Sequence, residues 1–353
     1  VTVPALEIAH CYRQCEQITR HEAANFYYGI RLLPRQRRDA MCAVYAFARR
    51  IDDIGDEGDD HDAQLQALRE QRAMVARLDQ DNRSVQDPVR VALAHARRVY
   101  SLPLDALELL IEGVELDVIG TTEYETFDQL VGYCRRVAGT IGRLCVAIFT
   151  DGRATERDSR LADDLGVAMQ LTNILRDVRE DAIVLGRTYL PAEDLRRFGC
   201  EDLASVAAAA GTGTNIRTGT GTGTGTGLPS LDGSAAGAIG SQSRNGSGAG
   251  AIGLPSPNGS AAGAIGSQSL DVGAIDLIRF EAERAAEWFT RGMELTGSLD
   301  RRSAACLEAM TGIYRTILER IVADPAQVLR HRVSLTPWEK GLVAARSLIG
   351  TRS

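Results

Sequence analysis

The stretch YAFARRIDDIGDE, Tyr45 to Glu57, sets four acids, Asp52, Asp53, Asp56 and Glu57, at the end of an apolar helical pattern. Tyr45, Arg49, Asp52 and Asp56 step by four, three and four. They therefore share one helix face, with Asp53 and Glu57 about 100° round from it. Two carboxylates one turn apart repel each other, and acids at a helix C-terminus oppose the macrodipole. A cation reverses both penalties. A second polar row runs through AMQLTNILRDVREDAIVLGRTYLP. There Gln170, Asn173, Asp177 and Asp181 step by three, four and four, while Met169, Leu171, Ile174, Leu175 and Val178 cover the other sides. A helix that apolar is central and buried, so its polar row must face a cavity or partners.

One acidic cluster taken alone is usually a solvated face, and the run through Asp59, Asp60 and Asp62 reads as solvated turn. Two rows together favour a shared site. Oxygen-only ligands on facing helices suit Mg²⁺, which takes carboxylates plus substrate phosphate. An EF-hand is excluded, because its alternating acids followed by Gly do not occur in register. No Walker A glycine loop is present to cradle a phosphate, so metal ions and arginines must do so.

The elements that must position these rows are helices. Helical periodicity runs from about Ala5 to Phe198, with breaks at Pro34, Asp81–Asn82, Pro88, Pro103, Gly120 and Gly152. No alternating strand pattern of useful length occurs. Residues 211–269 are almost purely Gly, Ala, Thr, Ser, Ile, Leu and Pro, and GSAAGAIGSQS occurs twice, at 233–243 and 259–269. Such a segment has too little bulky apolar surface to offset the entropy of ordering it, and reads as a flexible insertion. Helical pattern resumes at about Ala274, with Leu277, Phe280, Ala285, Trp288 and Phe289 near one face, then Leu307, Met310, Ile313, Ile317 and Ile321. The expectation is one all-α domain, residues 1–204 and 274–353, split by an insertion at 205–273. Loop-closure cost grows slowly with length, so a single domain tolerates it.

Composition narrows the function classes. The net charge of −7 and interspersed arginines exclude a basic nucleic-acid surface. Seven cysteines without a CxxC argue against a disulfide framework and for a reducing compartment. Cys11, Cys15 and His21 have the wrong spacing for a structural zinc site. No stretch resembles a signal peptide, and no run of about 18 apolar residues spans a membrane. Lys340 is the sole lysine among 40 basic residues, a bias that codon usage explains.

Three stretches give the chain a specific resemblance: NFYYGIRLLPRQRRDAMCAVYAFARRIDDIGDE, YCRRVAGTIG and GVAMQLTNILRDVREDAIVLGRTYLP, with weaker support from LIRFEAERA and IYRTILERI. Paired DxxxD motifs flanking YCxxVAGTxG resemble the squalene/phytoene synthase family, the head-to-head trans-prenyltransferases. FYYGIRLLPRQRR with RRIDDIGDE looks most like its bacterial presqualene diphosphate synthase branch. The resemblance implies an isoprenoid-synthase-type helical bundle around a central cavity. It also implies Mg²⁺, with Mn²⁺ as a substitute, held by Asp52, Asp56, Asn173, Asp177 and Asp181. His21, Arg49, Gln170, Arg187, Tyr189, Arg332 and Lys340 match residues that contact diphosphate or line its cavity. Tyr133 and Tyr314 match tyrosines facing the reacting carbons, and Tyr45 matches another at the cavity wall; the three are the expected catalytic residues. Relatives with serines just after the histidine differ from this chain, which has Glu22, Ala23 and Ala24 there.

The expected reaction condenses two farnesyl diphosphates to presqualene diphosphate, in the squalene and hopanoid pathway, without NADPH. The alternatives are phytoene synthesis from two geranylgeranyl diphosphates, squalene synthesis with NADPH, and an inactive assembly factor, which should lack the paired acids. The expected setting is cytoplasmic, with peripheral contact at the inner face of the membrane and with downstream squalene or hopanoid enzymes.

Overall fold

Proline and glycine end and begin the helices largely where the sequence places the breaks. The computed structural model describes residues 5–23, 26–56, 60–80, 86–120, 123–211 and 263–350. Among them all regular structure is helical, in agreement with the expected all-α class. The first half comprises α1 (Ala5–Glu22), α2 (Phe26–Ile30), α3 (Arg35–Asp56), α4 (His61–Ala76), α5 (Pro88–Tyr100), α6 (Leu104–Val118) and α7 (Phe127–Cys134). The second comprises α8 (Thr140–Phe149), α9 (Glu156–Glu180), α10 (Ala192–Phe198), α11 (Leu203–Gly211) and α12 (Gly263–Gly292), then α13 (Arg301–Ala323), α14 (Ala326–Arg330) and α15 (Pro337–Gly350). Pro88 opens α5 behind the side-chain cap of Asp87, and Pro103 precedes α6. Gly120 and Gly152 take positive φ, 78° and 74°, which glycine adopts without steric cost. The Asp81–Asn82 break lies outside the described residues.

Helix α9 is the axis. A capping box between Thr155 and Asp158 starts it, and from Leu161 to Val178 it is buried on nearly every side by α8, α12, α13 and α14. Its contact with α8 is backbone against backbone. A Cβ on Gly142 would lie 2.1 Å from the Ala162 carbonyl oxygen, and one on Gly166 would lie 2.4 Å from that of Ala138. Gly55 lets α3 approach α6 closely, where a Cβ would meet the Val114 side chain at Cγ1, 2.5 Å away.

Two π-helical turns interrupt the regular ladder. Arg135–Gly139 joins α7 to α8, and Asp181–Leu185 extends α9. π-turns of this kind concentrate at functional sites. All seven cysteines are buried free thiols.

Helical structure reaches further into the low-complexity segment than composition indicates. Residues 205–211 complete α11, which packs on α14 and α12, and α12 begins at Gly263. The rest of that segment, residues 212–262, lies outside the described residues.

Candidate active site

Between these helices lie two abutting apolar pockets. The larger is walled by Phe149, Leu165, Met169, Leu307 and others, and carries Gln170, Asn173 and Tyr314 on its lining. The smaller is lined by Ile30, Met41, Val44, Tyr45 and Ala48. Phe26, Ile141, Cys145 and Met310 border both. Each pocket therefore rises along one acid-bearing helix, α9 for the larger and α3 for the smaller.

The α3 row is buried and lacks donors. Asp52 is 1% exposed, and neither carboxylate oxygen has a hydrogen-bond partner. Burial, then repulsion from Asp56, holds its carboxyl well above the usual carboxylate range. Burial pushes Asp56 up to about 7 against the opposing charge of Arg49. On the α9 row, Asn173 Oδ1 and Asp181 Oδ2 are likewise buried without partners. Burial and then Asp177 raise Asp181 to about 8. Gln170 Oε1 accepts from Asn173 Nδ2 at 3.4 Å, and Gln170 Nε2 is without a partner.

Arg187 connects the rows. The second π turn ends at Gly186, φ 62°, and the Arg187 amide returns to the Asp181 carbonyl at 2.9 Å. The Arg187 guanidinium lowers the carboxyls of Asp56, Asp117 and Asp181 alike, so it stands within reach of both acid rows. Its Nη1 is buried without a partner.

Other expected residues are placed differently. Asp177 is closed by arginines: Arg176 Nε donates at 2.9 Å and Arg332 Nε lies 2.8 Å away. Arg332 thus reaches the second row from beyond α14 and is engaged by Asp177. Arg49 is held by Asp53 at 2.8 Å and approached by Glu22 at 3.9 Å, while His21 is bonded to Glu22. Glu22, the residue standing in place of serine, therefore draws both His21 and Arg49 into a surface ion-pair chain. Tyr45 lines the smaller pocket and Tyr314 the larger. Tyr133 lines neither pocket; it is fully buried and donates to Asp117 Oδ2 at 3.1 Å. Tyr189 stacks on Tyr133 at 5.5 Å and donates to Asp117 Oδ1 at 3.5 Å. Lys340 is half-buried on α15, which packs on α13 and α2.

Asp117 and Arg176 are the site residues that sequence reasoning missed. Asp117 is 1% exposed and pushed up to about 7 by burial; in the sequence it is a single acid with no periodic companion. Arg176 was signalled by an arginine inside the apolar run of α9.

Among the described residues, no three acidic, histidine or cysteine side chains converge enough to hold a metal by themselves. The unpartnered buried oxygens of Asp52, Asp56, Asn173 and Asp181 nevertheless fit a hard cation. Mg²⁺ in particular relies on few protein ligands and completes its shell with water and substrate phosphate.

The site thus sets apolar pockets along two helices that carry buried acid rows. The squalene/phytoene synthase family model matches residues 19–217 and 262–339, and the chain belongs to that family. It is a prenyltransferase that performs head-to-head isoprenoid condensation of the squalene/phytoene synthase type. The chain is 40% identical over 342 residues to a phytoene synthase of Mycobacterium tuberculosis, covering 97% of this chain and 92% of that one. It is 38% identical over 176 residues to a presqualene diphosphate synthase of Rhodopseudomonas palustris, covering 50% and 61% respectively. Among solved structures, a dehydrosqualene synthase in complex with a ligand superposes with a TM-score of 0.70 at 21% identity, covering 98% of each chain. Squalene synthase HpnC of Alicyclobacillus acidocaldarius gives 0.66 at 24%, covering 93% of this chain and 98% of that one. These two likenesses speak to the fold alone.

Proposed function

We propose that the protein condenses two geranylgeranyl diphosphates head to head, as a phytoene synthase. The observation that carries the general chemistry is the pair of abutting apolar pockets, each lying along one acid-bearing helix, with Arg187 near both acid rows. Two prenyl chains directed along α3 and α9 would bring their diphosphates toward those rows. What moves the chain length from the farnesyl expectation to C20 is similarity along nearly the whole chain to a phytoene synthase, against half the chain for the presqualene synthase. The similarity to the presqualene enzyme keeps farnesyl diphosphate as the second reading.

Mg²⁺ held by Asp52, Asp56, Asn173 and Asp181 would neutralise the leaving diphosphate and lower the cost of its departure. Asp177 joins that set only by releasing Arg176 and Arg332. The apolar walls exclude the water that would trap an allylic cation. The ring faces of Tyr45 and Tyr314 favour positive charge by about 0.5–2 kcal/mol each. Arg187 supplies a buried N–H for a diphosphate oxygen. Proton loss from the condensed chain then closes a cyclopropane that still carries the second diphosphate; departure of that diphosphate, rearrangement of the resulting cation and loss of a second proton give phytoene. Loss of two protons balances the formation of phytoene without a reductant, so NADPH is not part of the proposal.

Product analysis tests the reading. The purified chain is given Mg²⁺ with farnesyl or geranylgeranyl diphosphate and no NADPH. A C40 phytoene from the longer substrate is expected. A C30 cyclopropyl diphosphate made faster from the shorter one returns the assignment to presqualene diphosphate. No product from either overturns both.

A further inference from the structure

Asp117 lies in the last turn of α6, which the Gly55–Val114 contact presses against α3. Asp52 and Asp56 both feel its charge, so it stands beside the first acid row. Its bonds lead in the other direction. The carboxylate takes the hydroxyls of Tyr133 and Tyr189, and its main-chain carbonyl accepts from Arg187 Nη2 at 3.5 Å. Arg187 and Tyr189 belong to the segment that leaves the second acid row. One residue therefore touches the neighbourhood of both rows.

The surroundings make this junction stiff. Tyr124, Tyr133 and Tyr189 form a ring stack with centroids 5.4–6.5 Å apart. Behind it, the Ala192 amide donates to the Tyr124 carbonyl at 2.8 Å and the Glu193 amide to that of Glu125 at 3.1 Å. The residue type follows from the donors. Two phenol hydroxyls and a nearby guanidinium call for two acceptor oxygens and a negative charge, which a carboxylate supplies. An amide offers one acceptor and turns an N–H₂ toward the second phenol.

Resting on the prenyl diphosphate reading above, we infer that Asp117 is a positioning residue for Arg187. By gripping Tyr133 and Tyr189 and bonding the guanidinium through its carbonyl, it holds Arg187 between the acid rows with one N–H left for a diphosphate oxygen. Asp117 itself touches no substrate in this arrangement. It acts on how well the anionic head is held rather than on the bond changes.

The test measures binding apart from turnover. Inorganic pyrophosphate with Mg²⁺ is titrated calorimetrically into the full chain and into Asp117→Asn, Tyr189→Phe and Arg187→Gln, each checked for its melting temperature. Steady-state kcat and KM are measured with geranylgeranyl and farnesyl diphosphate. Asp117→Asn is expected to weaken pyrophosphate about tenfold, the order of one buried charge-assisted bond, and to raise KM similarly with a smaller change in kcat. Tyr189→Phe should show a weaker form of the same effect, and adding Asp117→Asn to Arg187→Gln should cost nothing further. A folded Asp117→Asn that binds pyrophosphate like the parent while Arg187→Gln does not would overturn the inference. So would losses that simply add in the double variant. If Asp117→Asn does not fold, Tyr189→Phe decides, and parental affinity there is equally fatal. A parent chain that binds no pyrophosphate would overturn the functional reading together with this inference.

Discussion

Asp52 has both carboxylate oxygens buried and neither bonded, an arrangement that costs stability unless a cation completes it. Asp52→Ala is therefore expected to cut turnover at least about 100-fold while leaving the apo chain as stable as the parent or more so. Near-parental rates would remove Asp52 from the metal assignment. Glu22 supports a second expectation. Because it draws on Arg49 at 3.9 Å from a partly exposed position, Glu22→Ser should free Arg49 for diphosphate and lower KM by about two- to fivefold, the scale of a surface ion pair. An unchanged or higher KM would show that Glu22 does not compete. The acid rows themselves were legible, because polar residues at helical spacing inside apolar runs leave few alternatives. Asp117 was not, since a single acid with no periodic companion carries no signal until Tyr133 and Tyr189 are seen to meet it. The closure of Asp177 by Arg332 was equally hidden, being a contact across 155 positions.

At the scale of elements, the close approaches at α8–α9 fix the larger pocket. A Cβ on Gly142 would sit 2.1 Å from a carbonyl oxygen in the backbone of α9, which cannot swing aside. Gly142→Ala should therefore cost about 1–3 kcal/mol, read as a lowered denaturant midpoint at unchanged slope. Gly341→Ala, in α15 with nothing within 4 Å, is the control and should be neutral or stabilising by up to about 1 kcal/mol. If both behave alike, the backbone contact is not what holds the pocket wall. Most helices were legible from proline, glycine and apolar spacing. The two π turns were not. The first packs against α9 and α6, and the second extends α9 against α11, tertiary settings with no local spelling.

For the whole molecule, buried acids outside the metal set add to the pH response. Burial raises Asp117 to about 7, with Tyr133, Arg187 and Tyr189 opposing; it raises Glu281 to about 8, with Arg284 opposing and Asp194 adding to it. Both lie above their unfolded values of about 4, so the folded chain binds more protons than the unfolded one between those limits. Stability from these groups is full below about pH 4 and falls as pH rises through about 7–8. The apo chain should melt several degrees lower at pH 8 than at pH 6, and Mg²⁺ with pyrophosphate should restore part of the loss by mass action. A higher melting temperature at pH 8 would contradict the assignment. Replacing 212–262 with a short Gly/Ser linker, so that α11 and α12 keep their full lengths, is expected to leave turnover within about twofold, since loop length enters closure cost only logarithmically. Collapse of activity in a folded deletion variant would mean that the insertion takes part in function.

The burial of every thiol has a practical corollary. Cys15, Cys42, Cys134, Cys145 and Cys306 are each shielded by packing that also discourages the reactive thiolate. A colorimetric disulfide reagent added to the native chain should therefore report opening events rather than accessible sulfur, making modification kinetics a built-in clock for fluctuations of the bundle. Saturating pyrophosphate and Mg²⁺ should slow that clock at Cys145, which borders both pockets.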